Sequence, residues 1–101
     1  MKVLFVLFRR ADVSHEQCLA EWSGPRHTSI VRKTPGLKRW VQSRVITPPS
    51  TAAPDGIGEL WFDASGALES AEMAAAVEDA KRFLDMEKSY AMVVEEKTIV
   101  G

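Results

Sequence analysis

Two side chains in this 101-residue sequence ordinarily change charge between pH 5 and 8, and they are His15 and His27. His27 lies in the stretch Pro25 to Gln42, PRHTSIVRKTPGLKRWVQ. That stretch reads as the second half of a helix, a Pro35-Gly36 turn and a strand carrying Trp40. It brings an imidazole close to a large aromatic ring. A half-buried imidazole takes a proton from an acidic carbon or a phenol near neutral pH, so His27 is the candidate general acid/base. Trp40, Leu60 and Phe62 offer a flat apolar wall for an aromatic ligand, with Trp22 at the base of the preceding helix. The alternative for His27 is a packed ring making one hydrogen bond. The alternative for the aromatic residues is sheet core or subunit interface.

The remaining polar candidates read as structural. His15 falls in the first turn of a helix and is expected in solvent. Cys18 sits on an apolar helix face with no activating base and is read as core. Arg9, Arg39 and Arg44 could hold an acidic substrate group, but surface pairing with carboxylates accounts for them. Glu59 is expected to pair with a residue such as Arg39, and Asp63 to cap a helix. Two histidines twelve residues apart, without a cysteine or carboxylate cluster, make no metal site. No glycine-rich loop leads into a helix as a phosphate cradle would, so no cofactor is expected.

Composition bounds the function classes. One chain of 101 residues is read as a single domain, residues 1–101. It should bury roughly two thirds of its unfolded surface, enough for one core but not for a deep separate cavity. The formal net charge is −1 and the basic residues are interspersed with acids, which argues against nucleic acid and against an anionic membrane surface. The single cysteine excludes an intrachain disulfide and suits a reducing cytoplasm. MKVLFVLF resembles the start of a signal peptide, but Arg9 and Arg10 follow at once and no small-residue cleavage site does; it reads as a buried strand. No apolar run approaches the roughly 20 residues of a membrane span.

These residues need elements to position them. Residues 2–9 are apolar on both alternating faces, as in a central strand covered on two sides. Ser14 with Gln17 predicts a capping box at the start of a helix. Ser23-Gly24-Pro25 predicts a kink or a division into two short helices by Lys33, with Ser23 as the second cap. Residues 37–46 alternate as a strand near an edge, with Lys38, Trp40, Gln42 and Arg44 on one face and Leu37, Arg39 and Val41 on the other. Residues 47–56 form a proline-rich loop. Residues 57–63 form a third strand. A helix capped by Ser65 or Asp63 follows, with a break near Ser70 to Glu72, and a strand over 89–99 ends the chain.

The order β-α-β-β-α-β predicts an α+β, ferredoxin-like fold: a four-stranded antiparallel sheet with the helices on one face. The first and last strands are apolar on both faces, yet the helices cover only one. The other face needs a cover, and a second copy is the simplest. The expected assembly is a homodimer packed through its sheet faces, with a pocket between sheet and helices.

Ser14-His15-Glu16-Gln17, Trp22, His27, Pro35-Gly36-Leu37, Arg39-Trp40-Val41-Gln42 and Gly58-Glu59-Leu60-Trp61-Phe62-Asp63 together resemble the EthD family of the dimeric α+β barrel superfamily, over roughly residues 2–99. The resemblance implies paired ferredoxin-like subunits and a pocket open at the helix side. Members include methylmuconolactone methylisomerase and relatives acting on polyketide or aromatic intermediates, some as cofactor-free oxygenases or cyclases. His27 matches the helix histidine that acts in the methylisomerase. Trp40 stands where that relative has a functional tyrosine and Leu60 where it has a cysteine, so the methylisomerase reaction itself is not implied. The expectation is a cofactor-free isomerase, cyclase or oxygenase with a small hydrophobic or aromatic substrate, or a binding module of the same shape.

Overall fold

The computed structural model describes residues 1–63 and 65–101. Along the chain run β1 (Lys2–Leu7), α1 (His15–Ser23), α2 (Pro25–Val31), β2 (Leu37–Arg44), β3 (Gly56–Phe62), a short 3-10 turn at Ser65–Glu69, α3 (Ala71–Ala80) and β4 (Tyr90–Val94). The four strands form one antiparallel sheet in the order β2-β3-β1-β4. This is the arrangement that the alternation of apolar and polar residues predicts, with β1 central and β2 at an edge. No helix among the described residues is long and apolar enough to cross a membrane.

Local signals set the helix ends. Ser14 accepts from the Gln17 backbone N–H, and the Gln17 side chain accepts from the Ser14 N–H, completing the capping box. The extended backbone of Gly24 divides α1 from α2, and a Cβ there would stand 2.8 Å from the Ala20 carbonyl oxygen. Pro25 then opens α2, where its missing N–H costs nothing. Ser23 does not cap α2 as expected: its hydroxyl donates back to the Leu19 carbonyl, and Gly24 holds the cap position without a side-chain bond. Gly36, at φ 73°, makes the left-handed turn into β2. The cap of α3 is Ser70, whose hydroxyl accepts from the Met73 N–H. Asp63, expected as a cap, pairs with Lys38 instead, at 3.0 Å.

The helices lie on the face of Val3, Phe5, Leu7, Leu60 and Phe62, and the core there has two clusters. Val3, Val31, Leu60, Phe62, Met73 and Ala76 form one. Leu7, Cys18, Leu19, Trp22, Phe83 and Leu84 form the other. Burial pushes the Cys18 thiol up to about 12, so it is an unreactive core group. Leu37 was expected on the opposite face from Trp40, yet it packs into the core beside it. The cause is a bulge: Leu37 pairs with Phe62 and Arg39 with Trp61, which leaves Lys38 unmatched.

The opposite face is open. Leu4, Val6 and Ile57 lie on it beside Tyr90 and Met92 of β4, and Lys2, Glu59, Trp61 and Arg39 gather towards its other end. Glu59 pairs with Lys2 at 3.0 Å rather than with Arg39, which stacks on Trp61. β4 is shorter than the expected 89–99, and it is bare: Tyr90, Met92 and Val93 are 51%, 42% and 63% exposed.

Candidate functional site

A cavity of about 60 Å3 lies at the seam between the two core clusters. The sheet supplies Phe5, Gly58, Leu60 and Trp40 to its wall, and the helices supply Trp22, His27, Val31 and Met73. Leu84 and Met86, beyond α3, close it. Four of the five residues singled out from the sequence therefore meet here: Trp22, His27, Trp40 and Leu60. Phe62 does not. It sits one strand pair further along, buried in the core at 2% exposure against Ala67, Met73 and Ala76. The alternation that puts it on the correct face says nothing about its position along the strand.

His27 is 5% exposed and held from three sides. Its ring stands edge-on to Phe83, with centroids 5.1 Å apart, and to Trp40 at 6.3 Å. Its Nδ1 lies 3.0 Å from Asp79 Oδ2. Arg82 binds both oxygens of that carboxylate, at 2.8 and 3.0 Å, and Arg26 adds a bond at 3.0 Å. Hydrogen bonding by Arg82 holds the Asp79 carboxyl down to about 2, so it is ionised and only accepts. The proton between them therefore belongs to Nδ1, which donates.

That leaves Nε2 of His27 unprotonated and free. Among the described residues, no fully buried side-chain nitrogen or oxygen lacks a hydrogen-bond partner. Nε2 has none among them, so it is not fully buried, and the His27 ring lines the cavity. Burial pushes the His27 pKa below its ordinary 6.5; the hydrogen bond and charge of Asp79 act against this, and the Arg82 charge acts with it. The ring is neutral at pH 7, with a lone pair directed into an apolar space.

Trp22 defines the base of the cavity. Its benzo ring lies so close over β3 that a Cβ on Gly56 would stand 2.5 Å from Cζ3, and one on Gly58 3.4 Å from Cζ2. Gln42 of β2 donates to the Trp22 carbonyl at 3.0 Å and ties the end of α1 to the sheet.

Other sequence candidates fall elsewhere. His15 is not free in solvent: Nδ1 stands 2.6 Å from Asp55 Oδ1 and Nε2 2.9 Å from the Val45 carbonyl oxygen. Both nitrogens are engaged in pinning α1 to the loop before β3. Arg9 bonds the Val13 carbonyl, and its backbone N–H donates to Asp55. Among the described residues no three His, Cys, Asp or Glu side chains gather as a metal would need. Sequence reading missed Asp79. A signal for it exists: Met73, Ala76, Ala80 and Phe83 form the buried stripe, and Asp79 is the one acid set into it.

No protein-family model matches the chain, and no curated protein sequence does. Solved structures do. An EthD (ethyl tert-butyl ether D) family protein from Bacillus halodurans aligns with a TM-score of 0.71 and 24% identity, over 96% of this chain and 99% of that one. A dimeric protein of ferredoxin-like fold from Bacteroides fragilis aligns with a TM-score of 0.59 and 14% identity, over 90% of each chain. SnoaB from Streptomyces nogalater, a cofactor-independent oxygenase, aligns with a TM-score of 0.59 and 11% identity, over 97% of this chain and 96% of that one. The chain has the α+β, ferredoxin-like fold of these proteins, an EthD family protein among them.

Proposed function

We propose that this chain is a small cofactor-free enzyme that moves a proton on an aromatic, lactone or polyketide-like intermediate, with His27 as the acid/base. The observation that carries this reading is the state of the His27 ring: Nδ1–H is fixed by an ionised carboxylate, while Nε2 has no protein partner among the described residues and the ring lines an apolar cavity. An acidic C–H or O–H of the substrate gives its proton to Nε2. The imidazolium that forms keeps its bond to Asp79, and returning the proton to another atom completes an isomerisation or a cyclisation. Oxygenation is the neighbouring variant, in which the deprotonated substrate reacts directly with dioxygen. SnoaB supports it as an example of this fold in a cofactor-independent oxygenase.

The cavity is smaller than the ~150 Å3 that holds a benzene ring. Substrate entry therefore requires Met73 and Met86, both flexible, to swing aside. The small volume also favours a second reading, a module that binds a slim hydrophobic ligand without turning it over. Turnover and pH dependence separate the two. His27→Ala abolishes turnover if His27 carries the proton; an activity that survives this substitution unchanged removes the catalytic role.

We further propose that residues 1–101 act as one domain in a homodimer packed through the open sheet faces, in the cytoplasm that suits its one buried thiol. The exposed Tyr90 and Met92 of β4 on that face support the pairing, as does the dimeric protein of the same fold from Bacteroides fragilis.

A further inference from the structure

The polar atoms of the cavity wall are few and complementary. Among the described residues no Lys, Arg, Asp or Glu lines it. Asp79, Arg26 and Arg82 lie behind His27, bound to one another. His27 Nε2 is an acceptor without a protein partner. Trp22, only 3% exposed, has an indole N–H with no protein partner among the described residues, while its carbonyl is taken by Gln42. Because no fully buried side-chain polar atom among the described residues is left unpartnered, this N–H keeps some accessible surface, and Trp22 lines the cavity. The orientation of the ring agrees. Cζ2, the atom next to the nitrogen-bearing corner, faces Gly58, which is part of the wall, whereas Cζ3 faces Gly56, which is not. Trp40 also lines the cavity, but its half-buried ring has water available to it.

We infer that this cavity takes an uncharged, largely hydrocarbon ligand that offers a proton to His27 Nε2 and a carbonyl-type oxygen to Trp22 Nε1–H. This rests on the reading of His27 as the group that meets the ligand. A carboxylate or phosphate has no cation in the wall to pair with, and burying it unpaired is costly. A ligand lacking the oxygen leaves the indole N–H dry and unbonded, which a polar site built for that contact disfavours strongly. Where the proton given to His27 comes from a position conjugated with that oxygen, negative charge grows on the oxygen and the contact strengthens as the transfer proceeds.

The three tryptophans make the test direct. Each indole N–H gives one proton–nitrogen NMR resonance, and that of Trp61 is an internal control because it donates to Glu96 at 2.9 Å, away from the cavity. The intact protein is titrated with 3-hydroxyacetophenone, 3-ethylphenol (no carbonyl), 3-methoxyacetophenone (no proton to donate) and 3-hydroxybenzoate (anionic). The expected result is saturable binding of 3-hydroxyacetophenone, at least about tenfold tighter than either uncharged analogue. The benzoate does not bind, and the Trp22 resonance moves only with the ketones while that of Trp61 stays still. Trp22→Phe makes 3-hydroxyacetophenone and 3-ethylphenol bind alike; should that variant fail to fold, the resonance of the native protein remains decisive. An unmoved Trp22 resonance with binding that depends on His27 overturns this inference alone. Binding indifferent to His27→Gln overturns the function of His27 as well. No saturable binding of 3-hydroxyacetophenone, or equal binding of the benzoate, overturns the ligand class.

Discussion

Asp79 and Arg82 act on His27 in opposite directions. The carboxylate fixes the proton on Nδ1 and favours the charged ring; the guanidinium holds the carboxylate ionised and disfavours the charged ring. The ring is thereby oriented without being made cationic. Arg82→Gln should raise the His27 pKa, read from the ring-proton shifts against pH. A pKa that stays or falls contradicts this balance. His27 and Asp79 make stability fall in acid, in separate windows. The folded His27 takes its proton only below 6.5, so the unfolded chain binds more protons there and stability drops as pH falls from 6.5 to the lower folded value. Asp79 is lowered from 3.8 to about 2, and its contribution, on the order of 2 kcal/mol, is complete above 3.8 and lost as pH falls towards 2. Denaturant unfolding from pH 7 to 2 should show both steps, and His27→Gln should remove only the upper one.

At the scale of elements, β3 carries Trp22 as much as α1 does. Two glycines in Gly56-Ile57-Gly58 let the indole lie against the strand backbone. Gly56→Ala would push a methyl into Cζ3 of a ring that is itself only 3% exposed. The expected cost is about 1–3 kcal/mol, seen as a lower thermal midpoint, together with a displaced Trp22 indole resonance. An unchanged midpoint would mean that the ring yields freely. Elements were legible where local chemistry decides them. The capping box named the first residue of α1, the doubly apolar run of β1 named the central strand, and Ser23-Gly24-Pro25 named the division of the helix. What escaped depends on distant parts of the chain. His27 and Trp40 were legible as neighbours because one turn joins them, but the partner of His27 lies 52 residues away. The engagement of His15 could not be read because Asp55 lies 40 residues on, at the far end of the proline-rich loop.

In the whole molecule the helices cover β1, β2 and β3 and leave β4 unshielded on both faces. Apolar residues gather at one end of the open face and paired charges at the other, so a second copy has both an adhesive and an orienting region to meet. Met92 is exposed in the single subunit, so Met92→Glu should leave the fold intact and shift the solution mass from dimer to monomer. A native chain that sediments as a monomer would remove the pairing.

The unmatched Lys38 has a consequence for how this sequence could vary in length. Leu37 and Trp40 are three residues apart yet point to the same side, because one residue between them is surplus to the ladder. Removing that residue would leave the two at ordinary alternate positions and would forfeit only an exposed ion pair with Asp63. A chain shortened at Lys38 should therefore fold with nearly its original thermal midpoint. One shortened at Val41 should not, since every side chain on one side of the cut would turn to the wrong face. The strand that carries Trp40 thus holds a site at which a codon can be lost without disturbing what faces the cavity.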